Sequence, residues 1–83
     1  MERLDGNAAA GLLQEVFARE MTTAMETCMS CGRASAVGAV HVYMDAPGTV
    51  LRCPTCEAVL MCIVHVRDDV HVDLSGMRRI ELR

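Results

Sequence analysis

Apolar residues recur at helical spacing near the start of the chain. Ala9, Leu12, Leu13, Val16 and Phe17 stand at i, i+3, i+4, i+7 and i+8, one stripe of a helix running from Asn7 to about Glu20. Asp5 or Asn7 supplies a side chain to cap its start. The stripe through Leu13, Val16 and Phe17 has two possible uses: it packs on a sheet and closes the core, or it docks a partner protein. The pattern then loses its helical period. "MTTAMETC", Met21 to Cys28, reads as a short strand entering a cysteine turn, and "VGAVHVYM", Val37 to Met44, is β-branched enough to be a strand. Pro47 and Gly48 occupy the second and third positions of a type II turn over Ala46 to Thr49, which predicts a hairpin into "TVLRC". Further strands are expected at Ala58 to Val66, Val70 to Leu74 and over "MRRIEL". Arg67 to Asp69 and Ser75-Gly76 form the turns between them. The expected architecture is a small α+β domain, an N-terminal helix followed by an antiparallel β meander.

Composition sharpens this picture. The 83 residues include no Trp, one Phe (Phe17) and one Tyr (Tyr43), so the core must be built from Val, Leu, Ile, Ala and Met. A chain this short makes one domain, residues 1–83, with a helical segment at 1–21 and the strands in 22–83. Domains of this size usually need disulfides, a structural metal or oligomerisation besides their core. The N-terminus has no apolar stretch of the roughly 7 to 15 residues that a secretory signal needs, which points to the cytoplasm. The longest apolar run, Ala58 to Val64, is too short to cross a bilayer, so no membrane association is expected.

In a reducing compartment five cysteines are better read as metal ligands than as disulfides. Cys28 and Cys31 form one C-x-x-C pair, Cys53 and Cys56 another, and the 21 residues from Gly32 to Arg52 separate them. This spacer is just longer than the roughly 15 to 20 residues common in four-cysteine zinc sites. The two-residue spacing lets both sulfurs of a tight turn face one metal, while turn amides, those of Thr55 and Cys56 in the second pair, donate to the first sulfur. Gly32 supplies positive φ after the first pair; Glu57 stands at the matching place in the second. Four thiolates select Zn²⁺ or iron, and a closed shell makes the metal structural. The fold is thus expected to be metal-stabilised and of zinc-ribbon type, with one Zn²⁺ per chain on Cys28, Cys31, Cys53 and Cys56. A thioredoxin-like role is disfavoured, because "RASAVGAVHVYM" does not continue the first pair as a helix.

"LDGNA" (Leu4 to Ala8), "CMSCG", "DAPG", "RCPTCEAVL" and "VDLSG" together resemble an uncharacterised family of small bacterial proteins known only as a domain of unknown function. The resemblance covers nearly the whole chain. It implies a shared zinc-ribbon-like module and no activity.

Other residues carry weaker signals. Cys62 alternates with Leu60 and Val64 and reads as a small buried hydrophobe. His41, His65 and His71 each alternate with valines, so they could share a sheet face with Tyr43, Arg67 and Asp73; exposed strand histidines are the plainer reading. The seven methionines read as core filler. The formal charge of −3 lies in residues 1–27, whereas residues 28–83 balance six acids with six arginines. Nucleic-acid binding is therefore disfavoured despite Arg78 and Arg79. No nucleophile and base stand at a familiar spacing, and no small-molecule substrate is evident. The expected function is a non-catalytic zinc-ribbon module that contacts another protein as an adaptor or accessory subunit. A rubredoxin-like iron electron carrier and a nucleic-acid-binding ribbon are the alternatives; the first is weakened by a short spacer and missing core aromatics.

Overall fold

A computed structural model describes residues 3–45 and 48–82. The chain opens with a two-residue strand, β1 (Leu4–Asp5), which the sequence did not lead us to expect, followed by a 3-10 turn (Gly6–Ala9) and helix α1 (Ala10–Phe17). Of the two candidate caps, Asp5 caps the 3-10 turn, its side chain accepting from the Asn7 amide at 3.1 Å, whereas α1 itself, with Ala9 at its N-cap, has no side-chain cap. The helix stops at Phe17, short of the expected Glu20, because Ala18 takes the left-handed conformation, φ 59°. Gly11 lies exposed in this helix with open space around its Cα. Gly11→Ala should therefore raise stability by about 0.5–1 kcal/mol, read as an increase in melting temperature of about 2–8 °C.

Seven more strands follow: β2 (Met25–Cys28), β3 (Ala34–Ala36), β4 (His41–Asp45), β5 (Gly48–Arg52), β6 (Val59–Val66), β7 (Asp69–Asp73) and β8 (Met77–Glu81). They form two antiparallel sheets in place of one meander. The larger has the order β1-β4-β5-β6-β7 and the smaller β3-β2-β8. The departure comes after β7. Instead of pairing with it, the chain crosses the start of β6 so closely that a Cβ on Gly76 would lie 1.7 Å from the Val59 carbonyl oxygen. The Gly76 carbonyl accepts from the Met29 amide, and β8 then pairs with β2.

The expected strand from Val37 to Met44 is also divided. Val37–Ala39 makes a 3-10 turn whose Val37 and Gly38 amides donate to Ala24 and Thr22 carbonyls, both at 2.9 Å. Those bonds satisfy the backbone away from any ladder and separate β3 from β4. Asp45 pairs with Gly48 across the β4–β5 hairpin; the predicted type II turn involves Ala46 and Pro47, outside the described residues.

The helix stripe packs on the larger sheet. Ala9 and Leu13 are fully buried, and Leu12, Val16 and Phe17 lie against the same cluster. The register aligns Val42, Leu51 and Met61 across β4, β5 and β6, with Thr49 and Ile63 two residues along, so these belong to the helix face. Met21, Ala24, Val37, Val40, Leu60 and the two cysteines Cys28 and Cys53 complete the core. No helix among the described residues is long and apolar enough to cross a membrane.

Candidate metal centre

Each cysteine pair sits at the tip of a hairpin, and the two hairpins belong to different sheets. Cys28 ends β2 and Cys31 lies in the turn between β2 and β3 of the smaller sheet; Cys53 and Cys56 lie between β5 and β6 of the larger. Neither turn closes the β4–β5 hairpin expected between the two pairs; the β2–β3 and β5–β6 hairpins supply them.

The two turns are built alike. In the first, the Cys28 amide donates to the Arg33 carbonyl and the Gly32 amide to the Cys28 carbonyl, each at 2.9 Å. In the second, the Cys53 amide donates to Ala58 and the Glu57 amide to Cys53, again at 2.9 Å. Both need a left-handed residue after the second cysteine, met by Gly32 (φ 77°) and Glu57 (φ 63°). The Thr55 amide lies 3.4 Å from the Cys53 sulfur, as the spacing predicted.

The turns bring the four sulfurs within 4.8 Å of one another. Cys28 Sγ is 3.7 Å from Cys56 Sγ, and Cys31 Sγ is 3.7 Å from Cys53 Sγ. A tetrahedron of sulfurs at about 2.3 Å from a central ion has edges of ~3.8 Å, so the donor set and its separations fit a metal ion. The first cysteine of each pair is buried and the second exposed. Burial pushes the Cys53 thiol up, but amides of Cys56 and Thr55 and the neighbouring thiols outweigh it and hold its pKa at about 7. The Ala58 amide favours the Cys56 thiolate, yet desolvation and the other three cysteines push that thiol up to about 12. Cys31 is likewise raised, by desolvation and by Cys53 and Cys28, against the Arg33 amide. Ionising Cys53 is thus eased while Cys31 and Cys56 are held back, the behaviour of converging sulfurs whose negative charges would repel one another.

Two acids near this centre were not assigned roles from the sequence. Glu57, left-handed where the first turn has glycine, is fastened on several sides. It pairs with His41 Nδ1, accepts from Tyr43 Oη at 3.2 Å, and its carbonyl accepts from Arg52 Nη1 at 2.9 Å. The His41 contact holds its carboxyl below the usual range, with smaller help from Tyr43. The one available signal was its departure from glycine. Glu26 is fully buried in β2, opposite Ser35 and Ile80. Its Oε1 accepts from the Ser35 hydroxyl while Oε2 has no partner, and burial raises its pKa, with Ser35 opposing.

The remaining candidates separate. His41 and His71 lie on the sheet face away from the helix, with Tyr43 and Asp73, but His65 pairs with Val70 on the helix face and Arg67 sits in the β6–β7 turn. The shared histidine face is thus corrected: His65 neighbours the residue that pairs with His71, and one step along a strand reverses the face. Among the described residues, the four cysteines are the one cluster of three or more ligating side chains that could hold a metal. Cys62 is half-buried on the same outer face, paired with Val50 and Asp73.

No curated protein and no solved structure matches this chain. A family model matches residues 1–83, and the protein belongs to that family, DUF6510, a family of unknown function.

Proposed function

We propose that Cys28, Cys31, Cys53 and Cys56 hold one structural Zn²⁺ in a zinc-ribbon-type centre, and that the protein is a non-catalytic interaction module serving a partner protein as an adaptor or accessory subunit. The observation that carries this reading is the convergence of four sulfurs from two similarly built turns. Bound zinc would supply charge compensation for four thiolates and a crosslink between the sheets. With every donor a sulfur, that shell leaves no position for water or substrate. Metal analysis of protein isolated from its native host tests the metal assignment. About one zinc per chain and no visible absorption are expected; stoichiometric iron with a red thiolate charge-transfer spectrum would support the rubredoxin-like alternative instead. Pull-down from that host, with a reciprocal pull-down on the recovered protein, tests the adaptor role.

The charge distribution disfavours a nucleic-acid ribbon. Arg78 and Arg79 are both exposed, but Arg79 is paired with Glu81 at 3.7 Å. Few phosphates would be neutralised and few counterions released. Binding to DNA or RNA at physiological ionic strength should be negligible in a fluorescence anisotropy titration. A sub-micromolar complex weakened by replacing both arginines with alanine would reverse this ordering.

A further inference from the structure

Strand β7 is the outer edge of the larger sheet, and all five of its residues are exposed. Edge strands present unpaired amides and carbonyls, and proteins usually shield them with short length, positive charge, proline or a bulge. The other edges follow that habit: β1 has two residues, β3 three, and β8 carries Arg78 and Arg79. Strand β7 is longer than β1 and β3, has neither proline nor bulge, and pairs regularly with β6 throughout; its charged residues, Asp69 and Asp73, stand at its two ends. Apolar side chains gather around it: Val66, Val70, Val72 and Leu74 are 47, 44, 36 and 40 % exposed. A cavity of about 300 Å³ lies between the helix and this edge, lined by Glu15, Val16, His65, Val70 and Val72.

We infer that β7 pairs with the β7 of a second copy of this chain, antiparallel and centred on Val72, so that two five-stranded sheets become one. The sequence of the strand selects both the occupant and the register. Centring a two-fold on His71 would set Asp69 against the partner's Asp73 and His71 against its own copy, opposing like charges. Centring on Val70 would set Val72 against the partner's Asp68, wasting apolar surface on a charged turn. Centring on Val72 sets Val72 against its copy and His71 against the partner's Asp73, whose Oδ1 also accepts from its own Ser75 amide at 2.8 Å, and brings Val70 beside the partner's Leu74, just past the end of the strand. Apolar groups then meet on the helix face, and an imidazole meets a carboxylate on the other.

Backbone geometry agrees with this register. The two-residue loop Arg67–Asp68 closes on the pair Val66 and Asp69, so the alternation of an antiparallel ladder turns the amides of Asp69, His71 and Asp73 toward β6. Those of Val70 and Val72 are left pointing outward. A two-fold axis normal to the sheet keeps both helices on one side. The partner's Val70, Val72 and Leu74 then extend the apolar strip that begins at Val16. This pairing uses no atom of the cysteine centre, so its failure and that of the proposed metal site are distinguishable.

Sedimentation equilibrium of the reduced, zinc-loaded protein over a wide concentration range is the test. Wild type is expected to reach a dimer. Val72→Lys, at an exposed position, should keep the circular dichroism spectrum and raise the dimer Kd by about 30-fold or more. His71→Asp, which sets two pairs of carboxylates face to face, should raise it by about tenfold, while His71→Lys should leave it within about threefold. A wild-type monomer at all concentrations, or a dimer indifferent to Val72→Lys, would overturn the proposal. Equal behaviour of the two His71 variants would overturn the register.

Discussion

Treatment with a strong chelator is expected to abolish the cooperative thermal transition of this protein. The four sulfurs sit where hairpins of two different sheets meet, so a metal there fastens the smaller sheet to the larger. Zinc in such sites contributes an apparent binding free energy of about 10–16 kcal/mol near neutral pH. The unfolded chain has no formed site, so most of this becomes folding free energy. Small domains have total stabilities of about 5–15 kcal/mol, and loss of the metal should exceed what this protein has in reserve. Cys53→Ser should act nearly as chelation does, because Cys53 is buried and its sulfur lies 3.7 Å from that of Cys31. Cys62→Ser is the control. Half-buried on the outer face and outside the cluster, it should cost about 1 kcal/mol and retain the metal. Thermal melts followed by circular dichroism, with and without chelator, on wild type and both variants, make the comparison. A metal-free protein that melts cooperatively near the temperature of the loaded form would show that the four cysteines do not hold this fold together.

Gly76→Ala should be nearly as damaging, for a reason unconnected with metal. The added Cβ would meet the Val59 carbonyl oxygen at 1.7 Å, the Val59 carbonyl carbon at 2.7 Å and the Leu60 Cα at 2.7 Å. All three are backbone atoms of β6, where Val59 is paired with Arg52 of β5, and backbone cannot yield like a side chain. The chain must lift away from β6, at the cost of the Met29 to Gly76 hydrogen bond and the path that delivers β8 to β2. A loss of about 3 kcal/mol or more is expected, against about 1 kcal/mol for an ordinary substitution. For a domain of this size that lowers the melting temperature by roughly 12 °C or more. Urea denaturation of Gly76→Ala beside Gly11→Ala, whose Cβ meets nothing within 4 Å, separates close crossing from any general effect of replacing glycine. Equal stability of the two variants would show that the turn at Gly76 does not cross β6 as closely as described.

What could be read in advance was what local chemistry decides. The helix stripe of Ala9, Leu12, Leu13, Val16 and Phe17 is a pattern of one face, and that face finds the core. The cysteine pairs were legible because a two-residue spacing constrains one tight turn whatever surrounds it, and the Thr55 amide donates to Cys53 as the spacing required. The β4–β5 and β6–β7 hairpins were legible because their partners are neighbours in sequence. What lay beyond reach was decided by contacts between distant segments. Whether β8 would extend the meander or leave it depends on the crossing at Gly76 and on an open edge at β2, 49 residues earlier between Cys28 and Met77. The 3-10 turn at Val37–Ala39 interrupts a stretch of good strand formers because carbonyls of Thr22 and Ala24 stand ready to accept its amides. His65 parted from His41 and His71 through register, which a single residue reverses. The sequence by itself thus determined which residues would make the turns, the stripe and the four-sulfur set. Tertiary structure alone decided that the set would join two sheets, since pairing between remote strands is settled by which edges the closed core leaves open.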